Sequence, residues 1–160
     1  MMDVERMGLQ DEMQFAGTEW VCGDRLMEFS PAGTEGFLSP RALPWWDDTD
    51  IPGVRMAVDK ITEYHGGVTR VPEAIAGWTY AAILCEAARI AVAEVGVENA
   101  DGPAMKRALE SFQDFDVDGM VKFTFGPEDR RGCTSYAVYE IQGGKLVRLT
   151  DYQDAPILVR

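Results

Sequence analysis

The strongest constraint in this chain is a long helical pattern between Pro72 and Gly96. Its apolar positions Ile75, Trp78, Ala82, Ile83, Ala87, Ile90 and Ala91 form a wide stripe that continues to Val95. Glu86, Arg89 and Glu94 interrupt the mostly apolar run from Ala74 to Val95, so it reads as a core helix rather than a membrane span. Pro72 marks its start, and Gly96 ends it.

Two further helices flank this one. Val54, Ala57, Val58 and Ile61 repeat at i, i+3, i+4, i+7 and predict a helix over 53–64, stopped at Gly66-Gly67. Asp101 and Pro103 provide a cap and a first-turn proline for a third, with Met105, Ala108, Leu109 and Phe112 on its inner face. After Gly119 the period changes to two: Val121, Phe123 and Phe125 alternate with Lys122 and Thr124. Tyr136, Val138 and Ile141 lie in a second β-rich run, and Leu146, Val147 and Leu149 in a third. Gly143-Gly144 between those two runs is a hairpin signal, because both turn positions want positive φ. Near the start, Met13 to Ala16 read as a short buried strand and Gly36-Phe37-Leu38 as another apolar run. From Ser39 to Pro52 three prolines, Trp45-Trp46 and the acids Asp47, Asp48 and Asp50 suggest a connector crossing a surface. The expected class is α/β or α+β, with short strands, three helices, then a strand and a hairpin.

Charge narrows the partners. Fifteen basic against 27 acidic residues in 160 leave a net charge of −12, which repels nucleic-acid phosphates and anionic lipid. Cys22, Cys85 and Cys133 are too few and too scattered for a disulfide framework, and with one histidine and no CxxC no metal site is expected. Residues 1–6 lack a basic stretch followed by an apolar one, so no secretory signal is expected in the chain as given.

No enzyme signature survives inspection. There is no GxSxG, GxxxxGK[ST] or GxGxxG, and His65 sits where a helix end favours a cation. Asp47-Asp48-Thr49-Asp50 and Asp116-Val117-Asp118-Gly119 lack the rest of a calcium loop and read as solvated acidic loops. Cys85 reads as a small packed hydrophobe on the long helix. Neither a cofactor nor catalysis is expected.

Taken in order, several stretches resemble the C-terminal portion of a type I periplasmic solute-binding protein, in the branch of branched-chain amino acid ABC transporter receptors. They are Met13-Gln14-Phe15-Ala16-Gly17-Thr18-Glu19, Ala32-Gly33-Thr34-Glu35-Gly36-Phe37-Leu38, Ala76-Gly77-Trp78-Thr79-Tyr80-Ala81-Ala82 with Glu86-Ala87, Ala108-Leu109-Glu110, Phe115-Asp116 with Gly119, Phe123-Thr124-Phe125, and the closing Tyr139 to Lys145. Family members have two α/β lobes in a chain more than twice this long. The resemblance therefore implies a partial fold: residues 1–35 as a remnant of the second lobe, 36–125 as the C-terminal part of the first, and 126–160 as the closing hairpin of the second.

The same resemblance implies a function. Glu19 would hold a ligand's α-ammonium group, with Thr18 beside it and Trp20 either walling the side-chain pocket or packing locally in the loop. The implied partners are a small-molecule ligand, an amino acid or an aromatic or small carboxylate, and an ABC permease. Location would be periplasmic, or cytoplasmic if the chain is complete as given. The helices would cover strands that this chain lacks, so Trp78 and Ile83 are expected to need another chain, making the protein a homo-oligomer or the partner of a missing N-terminal portion. A stand-alone oligomeric interaction or regulatory domain that lost its cleft is the alternative.

Overall fold

A computed structural model of the chain describes residues 1–66 and 70–155. The helices are α1 (Met2–Met7), α2 (Asp24–Phe29), α3 (Pro52–His65), α4 (Pro72–Val95) and α5 (Gly102–Glu110). The strands are β1 (Leu38–Arg41), β2 (Phe115–Asp116), β3 (Lys122–Phe123), β4 (Ser135–Gln142), β5 (Lys145–Arg148) and β6 (Gln153–Asp154). β1, β4 and β5 form an antiparallel sheet with β4 in the middle, and β6 pairs with the first residues of β4. β2 and β3 make a separate small hairpin.

Local chemistry explains the helices. Pro52 and Pro72 occupy first-turn positions of α3 and α4, where a missing N–H costs nothing. Asp101 caps α5 by accepting from the Ala104 amide at 3.0 Å. α3 ends at Gly66 with φ +65°; Gly67, the second residue of the expected stop, lies outside the described residues. The β4–β5 turn takes φ +57° at Gly143 and +71° at Gly144, the left-handed pair that the double glycine predicts.

The core runs from Cys22 through Trp45 and Trp46 to Ala137, Tyr139 and Ile141 of β4. β4 buries Ala137, Tyr139 and Ile141 on one face, while Tyr136 and Val138 face the half-covered side. α4 is long and apolar enough to cross a bilayer, yet Ile75, Ala76, Thr79, Ile83, Ala87 and Ala91 pack into this core.

Four expectations need correction. Met13 to Ala16 are not a buried strand: Met13 is exposed, and Ala16 makes only an isolated bridge to Leu38. The stretch from Ser39 to Pro52 is no surface connector. Ser39, Arg41, Trp45, Trp46 and Asp48 are buried, so the acidic loop there is not solvated as a whole. Several of its polar groups find partners inside, since the Trp45 amide donates to Asp48 Oδ2 and Trp46 Nε1 to the Val71 carbonyl, while among the described residues Ser39 Oγ, Arg41 Nε and Trp45 Nε1 are buried without a hydrogen-bond partner. Cys85 is exposed rather than packed. Ile83 is buried and Trp78 half-buried within the chain itself. The bare face of α4 lies elsewhere on the helix, at Tyr80 and Leu84.

Candidate functional site

The segment carrying Glu19 is tied to the outer edge of β1. The Leu38 amide donates to the Phe15 carbonyl at 2.9 Å, and the Gly17 amide to the Leu38 carbonyl at 3.0 Å. A Cβ at position 17 would sit 2.8 Å from the Phe37 ring, so only glycine allows this approach. Thr18 then opens a short 3₁₀ turn, Glu19–Val21.

Glu19 is half-buried, and its Oε2 accepts from the amides of Ala42 at 3.0 Å and Leu43 at 3.4 Å. Arg41 returns the tie by donating through Nη1 to the carbonyls of Glu19 and Cys22, at 3.3 and 3.2 Å. The Arg41 guanidinium is buried, 4.9 Å from the centre of the Trp45 ring and 5.7 Å from that of Tyr139. Burial pulls its pKa below the ordinary arginine value, and the Glu19 carboxylate is the largest influence opposing that. Glu19 thus serves as counter-charge to Arg41 and as acceptor for two strand-end amides. Among the described residues its other oxygen, Oε1, accepts no hydrogen bond.

Glu19 also lines an open cavity of about 430 Å³. Leu43, Tyr80, Ile83, Leu84, Phe123 and Phe125 supply apolar walls, and Arg131 supplies a guanidinium. Arg131 is paired with Asp129, Nε to Oδ1 at 2.9 Å, and this bond holds the exposed Asp129 carboxyl down to about 2. Leu109 and Phe125 are shared with a neighbouring apolar hollow of about 360 Å³ beside Met105 and Arg130. A carboxylate, an apolar wall and a cation in one hollow suit a small zwitterion with an apolar side chain.

Of the three residues proposed from the sequence, the structure places only Glu19 on this cavity. Thr18 is exposed, and Trp20, 49% exposed, is not part of the lining. Arg131, Tyr80 and Leu84 are additions that sequence reasoning missed. Phe123 and Phe125 were legible as an alternating apolar run, but nothing local showed that they face α4.

Two polar hollows are less suited to a ligand. One of about 530 Å³ brings Asp24, Asp47 and Asp48 to Arg70 and Arg148, which already pair with them. The other, about 330 Å³, gathers Asp114, Asp116 and Asp154 around Lys122 and Tyr152. Among the described residues no group of three or more His, Cys, Asp or Glu is placed to hold a metal ion.

No protein-family model and no curated protein matches the chain. Solved structures do. A branched chain amino acid ABC transporter from Thermus thermophilus, crystallised with bound valine, superimposes with a TM-score of 0.78 at 22% identity, over 96% of this chain and 42% of that one. A fatty acid ABC transporter substrate-binding protein from Thermomonospora curvata gives 0.81 at 15% identity, over 96% and 39%. A periplasmic binding protein type 1 from Bordetella pertussis Tohama I gives 0.65 at 20% identity, over 92% and 41%. The chain has a partial type I periplasmic-binding-protein fold. It spans about two fifths of the length of these structures. Within the type I periplasmic-binding-protein fold, the resembling stretches from Met13 to Lys145 are consistent with its C-terminal portion.

Proposed function

We propose that this chain is a solute-binding component, a fragment or truncated relative, of an ABC importer for amino acids or related small carboxylates, and that it binds without chemistry. One observation carries the reading. Glu19 stands in the wall of an apolar cavity with Oε2 held by two backbone amides and, among the described residues, Oε1 without a partner. A buried or half-buried carboxylate oriented in this way offers a charge-assisted bond to an ammonium group. Arg131 at the same cavity offers the matching site for a carboxylate once it parts from Asp129.

The segments divide as 1–35, 36–125 and 126–160, with β1 and the three long helices in the middle segment and β4 to β6 in the last. The partner would be an ABC permease, and the place of work the periplasm or the cell exterior. Two of the fold neighbours support this reading, since they are ABC transporter proteins and one holds valine.

Thermal unfolding in the presence of leucine, valine, phenylalanine, benzoate and a medium-chain fatty acid tests it. At a hundred times Kd a ligand adds about 2.7 kcal/mol, a rise of roughly 5–10 °C for a domain of this size. An apolar amino acid should produce that rise in the wild type and not in Glu19→Gln, which keeps an acceptor for the amides but loses the charge. Equal shifts in both proteins would remove Glu19 from the site, and no shift with any ligand would remove the binding function.

A stand-alone oligomeric interaction domain is the second reading. The exposed apolar face of α4, with Tyr80 48% and Leu84 55% exposed, favours it.

A further inference from the structure

The hollow that Glu19 lines and the smaller one beside it meet along a shared wall. Leu109 and Phe125 belong to both linings, and Met105 extends the apolar surface of the second. The Phe123 and Phe125 rings stack with centroids 5.9 Å apart and planes 10° apart. The Phe125 amide donates to the Phe112 carbonyl at 3.2 Å, which fixes where the shared ring stands. Volumes of about 430 and 360 Å³ leave room well beyond a leucine side chain, and the residues common to both hollows are apolar.

Charge distinguishes the two hollows. At the first, Arg131 is occupied: its Nε and Nη2 both bond the Asp129 carboxylate. At the second, Lys106 and Arg130 share a single acid, Glu110. Lys106 Nζ holds that carboxylate at 2.8 Å, while Arg130 Nη2 lies 3.9 Å from it. Among the described residues Arg130 has no other acid within ion-pair reach. The second hollow therefore carries one positive charge in excess, across the apolar wall from Glu19. The two charges of an α-amino acid sit on one carbon, so both must settle beside Glu19, where Arg131 has first to leave Asp129. A ligand with its charges at opposite ends needs no such exchange.

We propose that this site takes an ω-amino carboxylate, with its ammonium on Glu19, its methylene chain along Leu109 and Phe125, and its carboxylate on Arg130. The inference rests on Glu19 as the ammonium site and adds the far end of the ligand. Removing the methylene chain from water favours binding, and each charged end gains a charge-assisted hydrogen bond. The Arg130 side chain is 68% exposed, so its bond is screened and weakens as salt is raised.

Isothermal titration of the full chain with 6-aminohexanoate, 8-aminooctanoate, leucine, hexylamine and hexanoate tests it. Both ω-amino acids should bind more tightly than leucine. The 6-aminohexanoate affinity should exceed that of hexylamine or hexanoate roughly tenfold, the worth of one hydrogen bond to a charged group. Arg130→Gln should lower it roughly tenfold, to the level of hexylamine, with the circular dichroism unchanged. Leucine binding as tightly as either ω-amino acid, hexylamine matching 6-aminohexanoate, or indifference to Arg130→Gln would each overturn the proposal. These outcomes leave Glu19 in place, because leucine reads that anchor by itself. Binding of 6-aminohexanoate that Glu19→Gln does not weaken, or no binding of leucine or either ω-amino acid, would overturn the Glu19 reading and this inference together.

Discussion

Tyr139 donates its phenolic hydrogen bond to Asp48 Oδ2 at 2.5 Å, joining the central strand to the buried strap across 91 residues of sequence. The same oxygen accepts from the Trp45 amide at 2.7 Å, and Oδ1 lies 3.5 Å from Arg148 Nη1. One carboxylate therefore organises a tryptophan, a tyrosine and an arginine from three parts of the chain. Its place in the interior holds β1 and its extension against β4, and so holds the amides that orient Glu19.

The network predicts unequal costs. Tyr139→Phe removes one donor and leaves Asp48 two partners, for a loss of roughly 1–3 kcal/mol. Asp48→Ala leaves the Tyr139 hydroxyl with the longer 3.4 Å contact to the Tyr152 hydroxyl, orphans the Trp45 amide and strips one side of Arg148, and should cost more. Urea unfolding of both single variants and the double variant should show coupling of roughly 0.5–3 kcal/mol. Strict additivity would mean that the pair does not act as a unit.

Alkaline pH should expose the same pair. Burial, then the neighbouring Tyr152 and the bond to Asp48, push the Tyr139 hydroxyl far above its ordinary value, and burial raises Tyr152 as well. In the unfolded chain both titrate near about 10. Above that pH the native state keeps protons that the unfolded state releases, so stability is full below about 10 and falls as pH rises further. Each tyrosine contributes up to about 1.4 kcal/mol per pH unit. Unfolding midpoints followed from pH 8 to 11 should fall less steeply in Tyr139→Phe than in the wild type. An unchanged slope would count against a buried neutral tyrosine.

Two glycines on helices should respond in opposite directions to alanine. A Cβ at Gly53 would come 2.6 Å from Cγ of the buried Met120, and the Gly53 amide donates to the Asp118 carbonyl at 2.9 Å. Gly53→Ala is therefore expected to destabilise by about 1–3 kcal/mol through overpacking. Gly77 has nothing within 4 Å of its Cβ position, so Gly77→Ala should stabilise by about 0.5–1 kcal/mol through helix propensity. Chemical denaturation at low protein concentration distinguishes the two, and the same sign at both positions would contradict the packing around Gly53.

Much of this fold was readable from spacing. The period of Val54, Ala57, Val58 and Ile61, the prolines at 52, 72 and 103, the cap at Asp101 and the double glycine at 143–144 each act over a few residues, and each takes the conformation its local chemistry favours. The candidate site was readable only in part. Glu19 came from a resemblance, and its placement on a cavity depends on residues far along the chain. Arg131 is 112 positions away, by the difference of the two residue numbers, and no short-range pattern announces it.

The stretch from Ser39 to Pro52 shows the boundary most clearly. Prolines and aspartates usually mark surface, and by themselves Asp47, Asp48 and Asp50 are alike. Tertiary structure separates them, because burial is decided by whether a partner waits inside: Tyr139 and the Trp45 amide meet Asp48, while Asp47 and Asp50 stay exposed and pair with Arg70 and Arg148. The order and type of α3, α4, α5 and the closing hairpin belong to the sequence alone, since short-range sterics and hydrogen bonding settle them, whereas the short α1 and α2 were not legible there. Which charges are buried, which face of α4 remains bare and what surrounds Glu19 depend on contacts between distant segments, which arise only when the chain is folded.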